Sequence, residues 1–164
     1  MPTAYIGLGS NLGDREERLA AAVRLLQESP GVDVVRRSPI YETTPWGPVP
    51  DQPDFLNAVC AIATTLAPRP LLERLLAIEA ALGRERRGSP GPRTVDLDLL
   101  LYDDRVIDED GLKVPHPRLH LRAFVLVPLC DLAPDYVHPV LGVTLRVLGE
   151  RIGTAGVRRA GPAV

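Results

Sequence analysis

Two aspartates, Asp96 and Asp98, stand two residues apart in a hydrophobic stretch near the middle of the chain. Side chains of a β-strand alternate between its faces, so a strand here would place both carboxylates on one face, roughly 6.5 to 7 Å apart at Cα. Like charges this close repel each other unless a cation lies between them. Mg²⁺ suits that position because it prefers one or two carboxylates together with the oxygens of a bound phosphate. The opposite face of the strand is predicted to be apolar, with Val95, Leu97, Leu99 and Leu101.

An arginine-rich segment comes directly before the aspartates. Four arginines lie within residues 84–93, at Arg84, Arg86, Arg87 and Arg93, against one acid, Glu85. Guanidinium groups are planar forks of donors that match phosphate geometry, so this segment beside an acid pair predicts a site for a magnesium-bound nucleotide. The alternative is that the aspartates lie on the solvated face of an edge strand next to a solvated loop, because isolated pairs of this kind are common.

Hydrophobic periodicity predicts the elements that would position this stretch. Strands are predicted at 3–9, 32–41 and 55–64, and the aspartates lie on a fourth. Amphipathic helices are predicted between the first and second strands and between the third and fourth. The order β-α-β-β-α-β is typical of an α+β, ferredoxin-like antiparallel sheet with both helices on one face. The other face would then be free for a site, and a further helix and short strands are expected towards the C-terminus.

Both predicted helices have recognisable ends. Asp14 and Glu17 have the spacing of a capping box at the start of the first helix, and residues 29–31, Ser-Pro-Gly, end it. The apolar stripe of the second helix ends at Gly83, and Glu79 lies off that stripe near the helix end.

The predicted third strand carries an aromatic and an amide on one face, Phe55 and Asn57. A planar heterocycle is well bound by such a pair, because one group stacks and the other forms hydrogen bonds. The alternative is an aromatic that packs locally beside an asparagine at the start of a strand. If this face is the free one, both residues converge with the two aspartates. The opposite face of the strand is apolar, with Leu56, Ala58, Cys60 and Ile62.

Glycines cluster at the end of the first strand, at Gly7, Gly9 and Gly13. Their spacing, G-x-G-x-x-x-G, is one residue too long for a dinucleotide-binding loop, and no P-loop Lys-Ser/Thr follows. We therefore expect a tight turn and a close approach of the backbone at this end of the strand.

A second cluster of polar residues follows the fourth strand. His116 and His120 are four residues apart, which on a helix would suit a transition metal, but Pro117 and the lack of a third ligand argue against one. His116, Arg118 and Arg122 are instead expected to add hydrogen-bond donors to a phosphate pocket.

Composition bounds the class of protein. A chain of 164 residues fits one domain, and a net charge of −2 argues against a nucleic-acid or membrane-surface protein. The chain shows neither a leader nor an apolar run that could cross a bilayer, so a cytoplasmic location is expected. Cys60 and Cys130 lie in apolar stretches and are expected to be buried reduced thiols. Residues 153–164 are small and sparsely apolar, and we expect them to fray.

With these stretches laid out, the chain resembles the 6-hydroxymethyl-7,8-dihydropterin pyrophosphokinases of folate biosynthesis. Five ordered blocks carry the resemblance: YIGLGSNLG at 5–13, YETTPWGP at 41–48, QPDFLNA at 52–58, GPRTVDLD at 91–98, and VPH to RAF at 114–124. The GPRTVDLD block is the most specific of them. It contains both aspartates and the arginine that precedes them.

The resemblance implies that a pyrophosphoryl group passes from ATP to the hydroxymethyl oxygen of the pterin, with release of AMP. Asp96 and Asp98 would hold two Mg²⁺ ions. The implied catalytic residues are Arg84, Arg93, Asp96 and Asp98. The implied pterin-binding residues are Thr43, Pro45, Trp46, Phe55, Asn57 and Phe124. The implied ATP-binding residues are Glu79, Arg84, Arg86, Arg93, Leu99, His116 and Arg122. No nucleic acid, membrane or obligate protein partner is implied.

The chain departs from the family pattern in three places. The segment 84–93 is one residue shorter than in enterobacterial members and has Pro90 where those carry a tryptophan. Phe55 replaces a tyrosine, which keeps stacking and loses a hydroxyl. Trp46 replaces a leucine in the pterin-binding segment.

Two other classes fit the same predicted topology. A non-catalytic ferredoxin-like module that senses a small ligand would explain the fold and the pocket, but it leaves the acid pair beside four arginines without a purpose. An RNA-binding sheet stacks bases on several strand aromatics, whereas aromatic residues make up 4% of this chain.

Overall fold

The computed structural model of the chain describes residues 1–11, 14–43, 54–84 and 95–164. The strands are β1 (Thr3–Ser10), β2 (Val32–Arg37), β3 (Ile40–Thr43), β4 (Phe55–Thr64), β5 (Asp96–Tyr102), β6 (Ile107–Glu109), β7 (Leu112–Val114) and β8 (Val157–Gly161). The helices are α1 (Arg15–Glu28), α2 (Pro68–Glu79), α3 (Ala123–Leu132) and α4 (Leu145–Ile152). A 3-10 turn, Leu119–Leu121, precedes α3.

Six of these strands form one sheet. The order across it is β5-β1-β4-β3-β8, and β2 pairs with β4 beside β3. The two remaining strands, β6 and β7, pair only with each other, and all the pairings between named strands are antiparallel. The element order along the chain and the antiparallel sheet confirm the predicted α+β, ferredoxin-like class.

The strand predicted at 32–41 is two strands, β2 and β3, separated by Ser38 and Pro39. Proline has no N–H to donate and restricts the residue before it, so the ladder cannot run through Pro39. Ser38 bridges the gap: its N–H donates to the Val59 carbonyl at 2.9 Å, and its hydroxyl accepts from the Val59 N–H at 2.9 Å. Both strands therefore pair with β4, β2 along its second half and β3 at its start.

Helices cover both faces of the sheet. Strand β4 is buried along almost its whole length, and such a strand needs an apolar layer on each side. Helices α1 and α2 pack on one face, as predicted, and form the first core with Ile6 and Cys60. The other face was expected to be free, but α3 and α4 cover part of it and form the second core with Val59 and Ala61. The polar end of that face, with Asp96, Asp98 and Phe55, stays partly exposed.

A β-bulge changes the side-chain order of β5. Tyr5 pairs with Leu101 and Ile6 pairs with Leu99, so Leu100 is an extra residue on β5. An extra residue reverses the alternation beyond it. Leu97 and Leu99 lie in the first core as predicted, but Leu101 lies in the second core and not on their face. Periodicity alone does not show where an extra residue enters the ladder.

The helix ends were predicted correctly. Asp14 accepts a hydrogen bond from the Glu17 N–H at 3.1 Å, and α1 ends at Glu28 before Ser29. Helix α2 continues into a wider turn at residues 80–84, where Gly83 takes a φ of 103° that disfavours a side chain.

The prediction that residues 153–164 fray is wrong. Residues Val157–Gly161 form β8, which pairs antiparallel with β3. This pairing depends on backbone hydrogen bonds and charged side chains more than on apolar burial, so hydrophobic periodicity carries little trace of it.

The two cysteines are free thiols, as predicted, but only Cys60 is buried as expected. Cys60 is fully buried, and burial raises the pKa of its thiol to about 12. Cys130 is partly buried beside Gly149. Among the described residues no helix is both long and apolar enough to cross a membrane.

A buried histidine closes the turn between α3 and α4. The His138 Nδ1 accepts hydrogen bonds from the N–H groups of Val140, at 3.2 Å, and Leu141, at 3.1 Å. The His120 ring stands edge-on to it, with the ring centroids 6.4 Å apart. Burial and the neighbouring His120 lower the pKa of His138 below 6.5.

We expect this histidine to make stability depend on pH. Because the pKa of His138 is lower in the folded state, the unfolded chain binds more protons between pH 6.5 and that lowered value. The free energy of unfolding therefore decreases as the pH is lowered through this window. His138→Asn keeps an acceptor in a similar place and removes the titration. Denaturant unfolding between pH 7.5 and 5 should therefore show a shallower pH slope for the variant, by at most about 1.4 kcal/mol per pH unit. Equal slopes would show that His138 does not titrate on unfolding.

Candidate active site

One row of cross-strand neighbours joins the two halves of the predicted site. Asp96 pairs with Gly9, Gly9 pairs with Asn57, and Asn57 pairs with Tyr41. Directly paired residues point to the same face of a sheet, so the first aspartate and the amide share one face, separated by two strand spacings or roughly 10 Å. Asp98 lies one step further along the same face, opposite Gly7. The predicted convergence of the acid pair with Asn57 is therefore confirmed.

Gly9 makes room at the centre of this row. A Cβ built on Gly9 would lie 3.1 Å from the Asn57 Nδ2, closer than ordinary van der Waals contact. The predicted close approach at the end of β1 is thus between the Gly9 backbone and the Asn57 side chain. Any larger residue would push the amide away from the aspartates.

The Asn57 amide is held by Thr43. The Thr43 hydroxyl donates to the Asn57 Oδ1 at 2.7 Å, and both side chains are buried. A buried amide that accepts this bond presents its NH₂ group as a donor. Phe55, the register partner of Thr43, is partly buried beside them.

Tyr41 ends the row. It is anchored to helix α3, because its hydroxyl donates to the Asp131 carboxylate. Burial and this hydrogen bond raise the pKa of Tyr41 to about 12. The tyrosine therefore stays neutral and ties β3 to α3.

A buried carboxylate lies behind the acid pair. Glu79, the last residue of α2, is 3% exposed, and its Oε2 accepts a hydrogen bond from the Leu97 N–H at 2.8 Å. Leu97 is the residue between Asp96 and Asp98. A buried carboxylate requires such hydrogen bonds, so Glu79 ties α2 to the strand that carries both aspartates.

His116 lies beside the second aspartate. The backbone N–H of His116 donates to the Leu100 carbonyl at 2.9 Å, so this residue lies alongside β5. Its Nδ1 accepts from the Arg118 N–H at 3.1 Å, so the neutral ring carries its proton on Nε2. The pKa of His116 is lowered by burial and by Arg122 and Arg118, against the opposing effect of the Asp98 carboxylate.

Arg122 and Phe124 stand next to each other at the start of α3. The Arg122 Cζ lies 5.5 Å from the centroid of the Phe124 ring, a cation–π geometry. Phe124 is partly buried against the second core. Arg122 thus presents a cation above an aromatic face, close enough to His116 to affect its pKa.

The remaining predicted site residues fall into two groups. Leu99 is buried in the first core, on the face opposite the aspartates. Arg84 ends a described segment, and its side chain lies outside the description, as do four whole residues: Pro45, Trp46, Arg86 and Arg93.

Sequence reasoning missed several polar contacts of this region. The sequence shows Glu79 off its helix stripe but not its bond to Leu97, and nothing in it pairs Tyr41 with Asp131, 90 residues away. Four further charged residues surround the end of β3 and the start of β4: Arg15, Glu42, Asp54 and Arg158.

Comparison with known proteins places the chain in a family. The family model for 7,8-dihydro-6-hydroxymethylpterin-pyrophosphokinase matches residues 5–134, a stretch that contains every predicted site residue. The chain belongs to this family. It is a pyrophosphokinase of folate biosynthesis, as the motifs at the two aspartates predicted.

Relatives support this membership over almost the whole chain. A protein of Methylorubrum extorquens, named 2-amino-4-hydroxy-6-hydroxymethyldihydropteridine pyrophosphokinase, is 48% identical over 97% of this chain and 99% of its own. A Pseudomonas aeruginosa protein of the same name is 49% identical over 80% of each chain.

Solved structures support the fold. The Plasmodium falciparum HPPK-DHPS wild type with pteroate superposes with a TM-score of 0.77 at 16% identity, over 96% of this chain and 47% of that one. The present chain thus spans about half of that longer protein. In Schizosaccharomyces pombe the folic acid synthesis protein fol1 is 41% identical over 94% of this chain and 21% of its own length.

The hydrogen bond between Thr43 and Asn57 can be tested by stability. Thr43→Val keeps the shape and leaves the buried Asn57 Oδ1 without this donor, so the free energy of unfolding should fall by about 1–3 kcal/mol. Thr43→Ser keeps the hydroxyl and should lose clearly less. Denaturant unfolding of the three proteins makes the comparison, and equal losses for valine and serine would mean that the hydroxyl contributes nothing.

Proposed function

We propose that the protein transfers pyrophosphate from ATP to the hydroxymethyl group of 6-hydroxymethyl-7,8-dihydropterin and yields the pterin diphosphate and AMP. The alcohol oxygen would form a bond to the β-phosphorus as the bridge to the α-phosphate breaks. AMP would leave with the bridging oxygen, and the alcohol proton would go to water. The observation that carries this proposal is the single row that holds Asp96 and Asn57 on one face of the sheet.

Two carboxylates are the type and the number of protein ligands that Mg²⁺ usually has beside a bound phosphate. Two partly buried carboxylates on one face are the protein share of a magnesium–phosphate site. Within the described ranges no group of three or more His, Cys, Asp or Glu side chains could hold a metal. Phosphate oxygens and water are proposed as the other ligands. Two Mg²⁺ ions bound by Asp96 and Asp98 would supply neutralisation of the triphosphate charge.

Hydrogen-bond donors would orient the phosphates. His116 has its Nε2–H available because its Nδ1 already accepts a hydrogen bond, and Arg122 lies close by. Arg84, Arg86 and Arg93 are also proposed to bind the phosphates. Catalysis of this kind consists of positioning and charge stabilisation.

Two further residues are proposed on the nucleotide side. Leu99 is a residue of β5 whose side chain is buried in the first core, and Glu79 is buried beside the Leu97 N–H of the same strand. Because the Leu99 side chain lies in the core, a contact with adenine would be made through its backbone. Glu79 would act through its bond to the Leu97 N–H.

The pterin would lie at the other end of the row. The NH₂ group of Asn57, oriented by Thr43, would donate to the polar edge of the heterocycle. Phe55 and Phe124 are proposed to stack on its two faces, with Pro45 and Trp46 closing the pocket. This arrangement would direct the hydroxymethyl group towards Asp96 and Asp98.

The cytoplasmic location stays a prediction.

The first test is nucleotide analysis after the protein is mixed with Mg-ATP and 6-hydroxymethyl-7,8-dihydropterin. AMP that forms only when both pterin and metal are present would support transfer from the β-phosphorus. ADP would indicate an ordinary kinase in the same pocket. Tight pterin binding with neither product would favour the ligand-sensing module.

Removal of either site carboxylate should abolish most of the turnover. Asp96→Asn and Asp98→Asn each remove one negative ligand, and we expect turnover to fall by about 10²–10³-fold or more, with the fold retained. Asp104→Asn, in the exposed turn after β5, is the matched control and should retain turnover. Steady-state AMP production and circular dichroism give the readout. Near-normal turnover in either site variant would exclude the two-metal assignment.

A further inference from the structure

Four charged side chains form a closed set at the end of β3 and the start of β4. The Arg15 Nη1 donates to the Glu42 Oε2 at 2.8 Å and to the Asp54 carbonyl at 2.7 Å. The Arg158 Nη2 donates to the Glu42 Oε1 at 3.1 Å and to the Asp54 Oδ2 at 2.6 Å. Each arginine therefore bridges the two strands. We call this set the β3–β4 clamp.

The clamp lies directly behind the proposed pterin residues. Glu42 pairs in register with Leu56, which is in the first core, so this carboxylate points to the face opposite Asn57. Glu42 and Asp54 are the chain neighbours of Thr43 and Phe55. Their positions therefore set the backbone of the residues proposed to orient and stack the pterin.

Arg15 occupies a position where a cation is unfavourable, and its hydrogen bonds compensate for that. A cation in the first turn of a helix is disfavoured by the helix dipole, and Arg15 is the first residue of α1. Its bonds to Glu42 and to the Asp54 carbonyl offset that cost. Arg15 thus links α1 to the ends of both strands.

Arg158 reaches the clamp from the C-terminal strand. Arg158 of β8 is the cross-strand partner of Glu42, so the two residues are joined by the strand pairing and also by a side-chain ion pair. The family model ends at residue 134, so both β8 and this arginine lie outside the matched stretch. The side chains of Glu42 and Asp54 are 23% and 31% exposed, less than Arg158 at 54%. A network of this partial burial has more effect than an isolated surface pair.

We propose that Arg158, together with Arg15, is a positioning residue for pterin binding. By joining Glu42 to Asp54, it holds the end of β3 and the start of β4 in register and so fixes Thr43, Phe55 and Asn57. The proposal rests on the pterin site of the proposed function. It assigns to the C-terminal strand a role in affinity for the pterin and none in the chemistry at Asp96 and Asp98.

Steady-state kinetics with each substrate varied in turn tests this role. Arg158→Ala should raise the KM for the pterin about threefold to tenfold and leave kcat and the KM for ATP within about twofold. Arg158→Lys keeps one charge and should recover part of the loss. Arg159→Ala is the matched control, because this neighbouring arginine pairs with Tyr41 on the other face, and all its constants should stay within about twofold.

Four kinetic outcomes would overturn the proposal. An unchanged pterin KM in Arg158→Ala would show that the clamp does not act on the site. Equal effects on both substrates, or equal effects of Arg158→Ala and Arg159→Ala, would show a merely structural strand. Should Arg158→Ala fail to fold, Asp54→Asn removes the partner charge and leaves β8 intact. The pterin KM should rise in that variant too, and an unchanged value would contradict the clamp.

Backbone hydrogen exchange separates this proposal from the proposed function. Amides at the end of β3 and the start of β4 should exchange faster in Arg158→Ala than in the wild type and Arg159→Ala. This result does not depend on whether the wild type produces AMP. If the wild-type protein produces no AMP, the proposed function is wrong. If the exchange rates are unchanged in Arg158→Ala, the proposed role of the clamp is wrong.

Discussion

The pairing of β1 with both β4 and β5 is the constraint on which the site depends. This ladder places Asp96 and Asn57 on either side of Gly9, on one face of the sheet. A one-residue slip in either pairing would turn one of these side chains to the apolar face. The two cores oppose such a slip, because it would also expose Ile6, Leu97 and their neighbours.

Around that row, hydrogen bonds set the orientation of the polar side chains as well as their position. Thr43 orients the Asn57 amide, the Arg118 N–H sets the tautomer of His116, and Glu79 holds the amide between the aspartates. Two of these contacts join separate elements, β3 to β4 through Thr43 and α2 to β5 through Glu79, and the third is local. These groups hold fixed orientations in the absence of a ligand, as the proposed catalysis by positioning and charge stabilisation requires.

The second helical layer explains why the site occupies only one end of its face. Helix α3 packs over the apolar part of this face, at Val59 and Ala61, and α4 packs against α3. Phe124 and Arg122 lie where α3 begins. The same helix therefore buries the second core and delivers an aromatic ring and a cation to the edge of the polar end. Strand β8 pairs with β3 and forms the edge of the sheet on that side.

The sequence by itself determined the family and much of the local structure. Alternation at Asp96 and Asp98, the cap at Asp14 and the helix end at Gly83 depend on residues close in the chain, so their types and spacing are sufficient. Only the tertiary structure decided the β5 bulge at Leu100, the Glu79–Leu97 hydrogen bond and the pairing of Arg158 with Glu42 across 116 residues. Those features arise because distant backbone and charged groups satisfy one another on folding, and hydrophobic periodicity carries no record of which partners meet.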